Sequence, residues 1–326
     1  MYMFRDKRIK DNHDDKPIMI IIRIFSSYCG SDIWKQFEKN HDLNSDPEYN
    51  MRYKFTEGDD YTHVILLNTA AIDHNLPIEN VIGLAHEPPS ILGLSLNFVY
   101  YVNKRVSNYY IGCYRGLPSQ FKCDHAYIIH APLPKEIPTR KTKLMSMMVS
   151  NKDFMPGHAY RISLLEMILR SNFPIDIYGR GAENLIKQGH TDPRLKGSFE
   201  STEAMFRDYM FTIAVENTVY PAYFSEKVID PLLNLCTPLY YGCTRIDQYL
   251  PNMTVPLNGH PGVDFHIIKD VLENPGKFYK NINPHDVMKR TSISNVIHKH
   301  FLKNEDDLDK LENEMISEPA PVAEEA

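Results

Sequence analysis

The fold is decided by residues 211–241, whose sequence is FTIAVENTVYPAYFSEKVIDPLLNLCTPLYY. Its first apolar run predicts a buried strand that ends at Glu216-Asn217, because strands covered on both faces read as continuous hydrophobic runs. Ser225 is a typical helix N-cap residue, and Glu226 and Lys227 then fall in the first helical turn. Thr237-Pro-Leu-Tyr-Tyr241 predicts the next strand. This strand–helix–strand order indicates a parallel α/β sheet.

The same alternation extends over both halves of the chain. We expect strands at residues 18–25, 63–67, 81–84, 98–102 and 126–129, and again at 144–149, 175–178, 210–215 and 237–241. Between these sets, residues 131–143 contain three prolines and no apolar periodicity, as linkers do. We therefore predict two Rossmann-like domains that face a cleft. The N-terminal domain comprises residues 1–138 and the C-terminal domain residues 139–300, followed by an acidic tail at 301–326.

Composition narrows the class of protein. The chain has 326 residues, 43% of them hydrophobic, which is too long for one simple core and ordinary for a globular protein. A net charge of −6 disfavours a general nucleic-acid binder, which needs a basic surface. The apolar run at residues 17–25 contains Arg23 and is too short to span a bilayer. No signal peptide is evident before it, so we expect a cytoplasmic protein without a membrane span.

Neither the cysteines nor the acidic residues indicate a metal site or a disulfide framework. The five cysteines are odd in number and include no C-x-x-C pair, so we expect free thiols. The one D-x-D sequence, Asp307-Leu308-Asp309, lies in the acidic tail and is typical of a solvated helix face. We assign no metal ligands.

Charged residues follow three of the predicted strands. Open α/β sheets bind ligands at this position, outside the carboxyl ends of their strands. The Glu226-Lys227 helix start fits a phosphate site, although a capping Glu beside a solvated Lys is equally common. Arg180 lies between Gly179 and Gly181 and could grip a diphosphate or be a plain turn residue. This Gly-x-Gly is a weak dinucleotide fingerprint, because Asn184 replaces its third glycine. Glu87 precedes two prolines that hold its carboxylate in place, and it could instead simply begin a turn.

Residues 211–242 resemble the signature of glycosyltransferase family 10, the α-1,3/4-fucosyltransferases. Two positions depart mildly, with Val215 where phenylalanine is usual and Ser225 where threonine is usual. The resemblance implies a GT-B fold, GDP-fucose as the donor, and inversion at the anomeric carbon. The matching residues are Phe211, Glu216, Asn217, Tyr223, Glu226, Lys227, Pro238, Tyr240 and Gly242.

The resemblance also implies roles for individual residues. Asn217 and Tyr223 would contact the guanosine diphosphate or its sugar, Glu226 the ribose, and Lys227 the phosphates. Arg180 resembles the arginine that family members place on the diphosphate. Glu87, Pro89 and Ser90 resemble the family's E-x-P-S element, in which the glutamate is the base for the acceptor hydroxyl.

The resemblance therefore implies an inverting α-1,3-fucosyltransferase that acts on a glycan, as in protein glycosylation. It would move L-fucose from GDP-fucose to an oligosaccharide acceptor of GlcNAc or glucose type, with no further cofactor and no metal. The N-terminal domain would bind the acceptor and the C-terminal domain the donor. Two alternatives stay open, namely a GT-B enzyme for another nucleotide sugar and an inactive protein that binds sugar nucleotides or glycans.

Overall fold

A computed structural model describes residues 20–30, 32–41, 53–113, 116–127, 130–138 and 140–301. In these ranges the chain forms two six-stranded sheets, and every strand pairing is parallel. Helices pack against both sheets. The predicted α/β class with two Rossmann-like domains is therefore confirmed.

The first sheet contains the strands of the N-terminal half in the order β2-β1-β3-β4-β5-β6. Its central strands are almost wholly apolar and buried, as the sequence pattern predicts. The strands are β1 (Ile20–Ser26), β2 (Tyr53–Phe55), β3 (His63–Leu67), β4 (Val81–Leu84), β5 (Asn108–Ile111) and β6 (Phe121–Cys123).

The second sheet has the order β12-β11-β10-β7-β8-β9. The chain builds outward from β7 in one direction through β8 and β9, and then returns to place β10 on the other side of β7. The gap between the carboxyl ends of β7 and β10 is thus the topological switch point of this sheet. The strands are β7 (Lys143–Met148), β8 (Ile175–Tyr178), β9 (Leu195–Gly197), β10 (Tyr209–Val215), β11 (Thr237–Tyr241) and β12 (Val255–Pro256).

The helices lie between these strands and after the last of them. A short 3-10 helix also spans Ile78–Asn80. The α-helices are α1 (Ile33–His41), α2 (Pro89–Leu92), α3 (Leu96–Arg105), α4 (Pro156–Leu169), α5 (Arg180–Lys187), α6 (Thr202–Phe206), α7 (Glu226–Leu233), α8 (Ile246–Tyr249), α9 (Pro261–Glu273), α10 (Pro275–Phe278), α11 (Pro284–Thr291) and α12 (Ile293–Phe301).

The strand prediction was wrong for residues 98–102, which lie inside helix α3. The side chain of Ser95 accepts a hydrogen bond from the backbone N–H of Phe98 and so caps this helix. Phe98 and Val102 are buried on one face, and the residues between them are not. The four-residue spacing of the buried side chains of Phe98 and Val102 is therefore the period of a helix and not of a strand.

Other short elements also differ from the sequence pattern. The predicted strand at residues 126–129 is absent at 126–127, and residues 128–129 lie outside the described ranges. The actual edge of the first sheet is formed by β5 and β6, which carry no long apolar run. The acidic tail lies outside the described residues apart from Phe301, as does the D-x-D sequence.

Helix α12 packs against the first sheet, although the predicted boundaries group it with the second domain. Ile293 and Ile297 are fully buried in the same apolar cluster as Ile22 of β1. The hydroxyl groups of Tyr53 and Ser294 form a buried hydrogen bond of 2.8 Å. The chain therefore returns to its N-terminal half after completing the second sheet.

None of the five cysteines, all of which lie among the described residues, forms a disulfide bond in this structure. No helix among the described residues is long and apolar enough to cross a bilayer. Within the same residues, no group of three or more His, Cys, Asp or Glu side chains is arranged to hold a metal ion.

Glycine 83 is required for packing in the middle of the first sheet, and we predict that Gly83→Ala lowers the free energy of unfolding by about 3 kcal/mol. A Cβ atom there would lie 2.1 Å from Cδ2 of the Tyr109 ring. That ring cannot easily move, because its hydroxyl donates a 2.7 Å hydrogen bond to the buried carbonyl of Asn68. Urea unfolding monitored by circular dichroism measures the loss.

Gly276→Ala provides the matched control for this substitution. A Cβ atom at Gly276 would have no neighbour within 4 Å. We expect its free energy of unfolding to stay within about 1 kcal/mol of the wild type. Equal stability of the two variants would contradict the packing argument for Gly83.

Candidate active site

The end of strand β10 is joined to the start of helix α7 by the buried carboxylate of Glu216. Its Oε1 atom accepts hydrogen bonds from the backbone N–H of Ser225 at 2.8 Å and from the Ser225 hydroxyl at 3.0 Å. The Ser225 hydroxyl in turn accepts from the backbone N–H of Lys227 at 3.4 Å. Ser225 therefore caps the helix as predicted, and Glu216 fixes the cap to the sheet.

Gly242 leaves the space that Glu216 occupies. A Cβ atom at Gly242 would lie 2.4 Å from Cγ of Glu216 and 2.5 Å from the hydroxyl oxygen of Tyr240. This close approach explains physically why the sequence has glycine directly after strand β11.

Lys227 lies between two carboxylates and is mostly buried. Its Nζ atom is 2.9 Å from Oε1 of Glu226 and 3.6 Å from Oε2 of Glu216. Burial by itself lowers the pKa of Lys227, but the charges of Glu226 and Glu216 outweigh burial and raise it. Lys227 is therefore a fixed positive charge at the start of α7.

The two carboxylates beside Lys227 have opposite pKa shifts. Burial raises the pKa of Glu226, but the Lys227 charge and hydrogen bonding from Tyr127, Lys227 and Ser225 reverse this effect and bring it to about 2. Burial raises the pKa of Glu216 and dominates there, although Lys227 and Ser225 oppose it. Glu226 is thus the stably ionised carboxylate of this cluster, available to accept hydrogen bonds.

Arg161 completes the charge cluster from helix α4. Its guanidinium donates a 2.5 Å hydrogen bond to the carbonyl of Val215, the last residue of β10. Burial lowers the pKa of Arg161, and the neighbouring charges of Glu216 and Glu226 oppose that shift. The cluster therefore contains two acidic and two basic side chains.

Asn217 joins the end of β10 to the start of helix α4. Its Oδ1 atom accepts a 3.0 Å hydrogen bond from Nε2 of His158, and its carbonyl accepts one of 3.0 Å from the N–H of Gly157. A Cβ atom at Gly157 would lie 1.9 Å from the carbonyl oxygen of Glu216. Asn217 is thus held at the switch point of the second sheet.

Tyr223 lies where the second domain meets the first. It is 4% exposed, and a Cβ atom on Gly112, just after β5, would lie 2.6 Å from its own Cβ. The neighbouring Ala222 donates its N–H to the carbonyl of Gly112 at 2.9 Å. Burial raises the pKa of Tyr223 well above its usual range, with the charges of Glu216, Glu226 and Glu87 adding to the shift.

Arg180 is the first residue of helix α5 and is exposed. Gly179, with a φ of 95°, and Gly181 pack closely against the backbone of Val149, at the end of β7. Arg180 is therefore at the carboxyl edge of the second sheet, as predicted. It has no ion pair with any described residue.

Glu87 follows strand β4 at the carboxyl edge of the first sheet. The backbone N–H groups of His86 and Glu87 donate to Oδ1 of Asn68 at 2.9 and 3.1 Å, which fixes the loop before the two prolines. Burial raises the pKa of Glu87 above 4.5, and the charges of Lys227 and Lys152 partly offset this. Glu87 is therefore within electrostatic range of the charge cluster on the other domain.

The structure thus brings Asn217, Tyr223, Glu226 and Lys227 together, and Glu87 is near enough for the charge of Lys227 to lower its pKa. Arg180 lies on a neighbouring loop at the carboxyl edge of the second sheet. The sequence analysis did not assign Glu216 or Arg161 to the site. For Glu216 a signal existed, because a carboxylate as the first residue after a buried strand requires a partner. Arg161 lies in the middle of helix α4, and the sequence contains no comparable signal for it.

Known proteins are similar to this chain in fold and, over part of its length, in sequence. Over 87% of this chain and 85% of the other, the structure is similar to a crystal structure of an α1,3-fucosyltransferase, with a TM-score of 0.51 and 12% identity. That likeness concerns the fold, which is of the GT-B type. Residues 138–257, which hold the charge cluster, match the family model of glycosyltransferase family 10 (fucosyltransferase) C-term.

Curated relatives match over a shorter region. An alpha-(1,3)-fucosyltransferase B from Drosophila melanogaster is 28% identical over 133 residues, which cover 39% of this chain and 30% of the relative. A putative fucosyltransferase R654 of Acanthamoeba polyphaga mimivirus is 29% identical over 112 residues, which cover 34% and 17%. The chain thus matches less than a third of the length of either relative.

Proposed function

We propose that this protein is an inverting fucosyltransferase that transfers L-fucose from GDP-fucose to a hydroxyl group of an acceptor glycan. The observation that carries the proposal is the Glu216–Ser225–Lys227 cluster at the start of α7, which lies in the region that matches the family 10 model and within electrostatic range of Glu87. A fixed cation at a helix start suits a diphosphate, and a carboxylate across the cleft suits a base.

The donor would bind along the carboxyl edge of the second sheet. Lys227 and the positive N-terminal end of the α7 dipole attract the diphosphate. The exposed Arg180 can donate two parallel hydrogen bonds to the phosphate oxygens. Glu226, which is ionised, accepts hydrogen bonds from the ribose hydroxyls. Asn217 and Tyr223, held at the switch point and at the domain seam, position the nucleotide and the sugar.

In the reaction, Glu87 accepts the proton of the acceptor hydroxyl group. The oxygen of that hydroxyl group forms a bond with the anomeric carbon of fucose at the same time. The bond from that carbon to the diphosphate oxygen breaks on the opposite face, so the configuration inverts. Lys227 and Arg180 stabilise the charge that develops on the departing diphosphate. The proposal assigns no step to a metal ion or an organic cofactor.

The acceptor follows from the resemblance of the Glu87 element to that of the family. We propose a GlcNAc- or glucose-type residue whose 3-hydroxyl points at Glu87, bound by the first domain. The half-buried position of Glu87 supports this role, because burial raises the pKa of its carboxyl group and so makes the carboxylate a stronger base.

A thermal-shift panel of GDP, UDP, CMP and GDP-fucose tests the donor, followed by a transfer assay with GDP-fucose and oligosaccharide acceptors. We expect GDP and GDP-fucose to raise the melting temperature, because a ligand at about 100 times its Kd adds about 2.7 kcal/mol of stability. Stabilisation by UDP alone would indicate another sugar nucleotide. GDP binding without transfer to any acceptor would indicate a binding protein.

A further inference from the structure

The loop between β7 and α4, residues 149–155, forms one wall of the switch point in the second sheet. The opposite wall is the end of β10, which carries Glu216 and Asn217. Ligands of open α/β sheets bind in the crevice at such a point, outside the carboxyl ends of the strands. The loop contains one cation, Lys152.

The loop is fixed at both of its ends. After it, Gly157 and His158 at the start of α4 are bonded to the backbone and side chain of Asn217, each at 3.0 Å. Within it, the N–H of Lys152 donates to the hydroxyl of Ser150 at 3.4 Å. The base of the Lys152 side chain is therefore held beside the crevice while its ammonium group stays exposed.

The charges inside the crevice indicate a need for such a cation. Lys227 and Arg161 are buried beside the carboxyl groups of Glu216 and Glu226, which offset part of the positive charge that they could offer to a diphosphate. Among the described residues at this edge, Lys152 and Arg180 are the exposed cations that have no ion pair.

The charge of Lys152 also reaches across the cleft. It lowers the pKa of Glu87 on the first domain and of His158 on the second, in each case as a minor contribution after burial. The other groups that act on Glu87 are Lys227, Glu226 and Tyr223. Lys152 is therefore near enough to influence both the nucleotide side and the base side of the cleft.

We propose that Lys152 is a further diphosphate-binding residue, which supplies from the β7–α4 loop the positive charge that the buried cluster lacks. This inference rests on the proposed function, because it assumes that a nucleoside diphosphate occupies the crevice. It adds a residue outside the sequence motif of residues 211–242.

Calorimetric titration of the full chain with GDP and with guanosine tests the inference. Lys152→Met keeps the apolar stem and removes the charge. We expect GDP affinity to fall about tenfold and guanosine affinity to stay within about twofold, because a lost charge-assisted contact costs a factor of this order. Lys152→Arg should keep most of the GDP affinity.

Lys187→Met is the matched control, since Lys187 is an exposed lysine in the last turn of α5, at the opposite edge of the same sheet. It should bind GDP as the wild type does. Wild-type GDP affinity in Lys152→Met, or an equal loss for guanosine, would overturn the inference. A wild type that binds no nucleoside diphosphate would instead refute the proposed function.

The pH dependence of transfer gives a second readout. Lys152 lowers the pKa of Glu87, so its removal should raise that pKa and move the acid limb of kcat/KM to higher pH. A purely structural defect would lower the rate without moving this limb. An unmoved limb together with unchanged GDP affinity would exclude Lys152 from the site.

Discussion

Glu87→Gln is expected to bind GDP with wild-type affinity and to lose fucosyl transfer by a factor of about 100 to 10,000. Removal of a general base costs a factor of this order, because the acceptor hydroxyl must then attack without losing its proton. The amide is nearly isosteric, and the hydrogen bonds that fix the loop involve backbone N–H groups and Asn68, not the Glu87 carboxylate. Calorimetry with GDP and a radiolabelled transfer assay measure the two effects separately.

Glu79→Gln, on the exposed 3-10 helix of the same domain, is the control and should retain full activity.

The wild-type pH profile provides a further check. A base works when ionised, so activity is lost as pH falls through its pKa. Because burial raises the pKa of Glu87, this limb should lie above 4.5. Normal turnover by Glu87→Gln would remove Glu87 from the mechanism.

Lys227→Met should have the second large effect, and it should act on stability and on donor binding together. Without the ammonium group, the buried Glu216 and its neighbour Glu226 have lost their nearest cation. Breaking a buried pair from one side costs about 3–5 kcal/mol, because an uncompensated charge stays behind. GDP affinity should fall by at least about tenfold with the loss of the phosphate contact.

A double variant, Lys227→Met with Glu216→Gln, separates the two effects. Neutralising Glu216 removes the more deeply buried of the two carboxyl groups that lose their cation, while the amide oxygen can still accept from Ser225. The free energy of unfolding should recover by more than half relative to Lys227→Met, whereas GDP affinity should not recover. Full recovery of GDP binding in the double variant would show that Lys227 acts only through folding.

The sequence predicted the second half of the chain well, because its elements are long and regularly patterned. Strands at 175–178 and 237–241 have the expected bounds, and Ser225 caps its helix as expected. A continuous apolar run followed by an N-cap residue leaves little freedom for another local structure.

The first half was harder to predict because its elements are short. Residues 98–102 combine aromatic and β-branched letters that favour strands, yet the Ser95 cap and the four-residue spacing of Phe98 and Val102 determine a helix. Strand β6 has three residues, with Lys122 in the middle, and is formed by pairing with β5. Pairing with a neighbouring strand is a tertiary contact, and it leaves no pattern in the local sequence from which β6 could be predicted.

For the candidate site, sequence reasoning reached the residues that a motif carries but not those that only the fold assembles. Lys152 lies 64 residues before Glu216 along the chain, and no local spacing connects the two. The parallel sheet brings them to one edge, because β7 and β10 are neighbours.

The return of α12 to the first sheet divides the N-terminal lobe between two parts of the chain. The polypeptide crosses between the two lobes twice, once before β7 and once before Ile293. The N-terminal lobe therefore does not correspond to one uninterrupted stretch of the chain, and an excised fragment ending before residue 293 would lack part of its apolar interior.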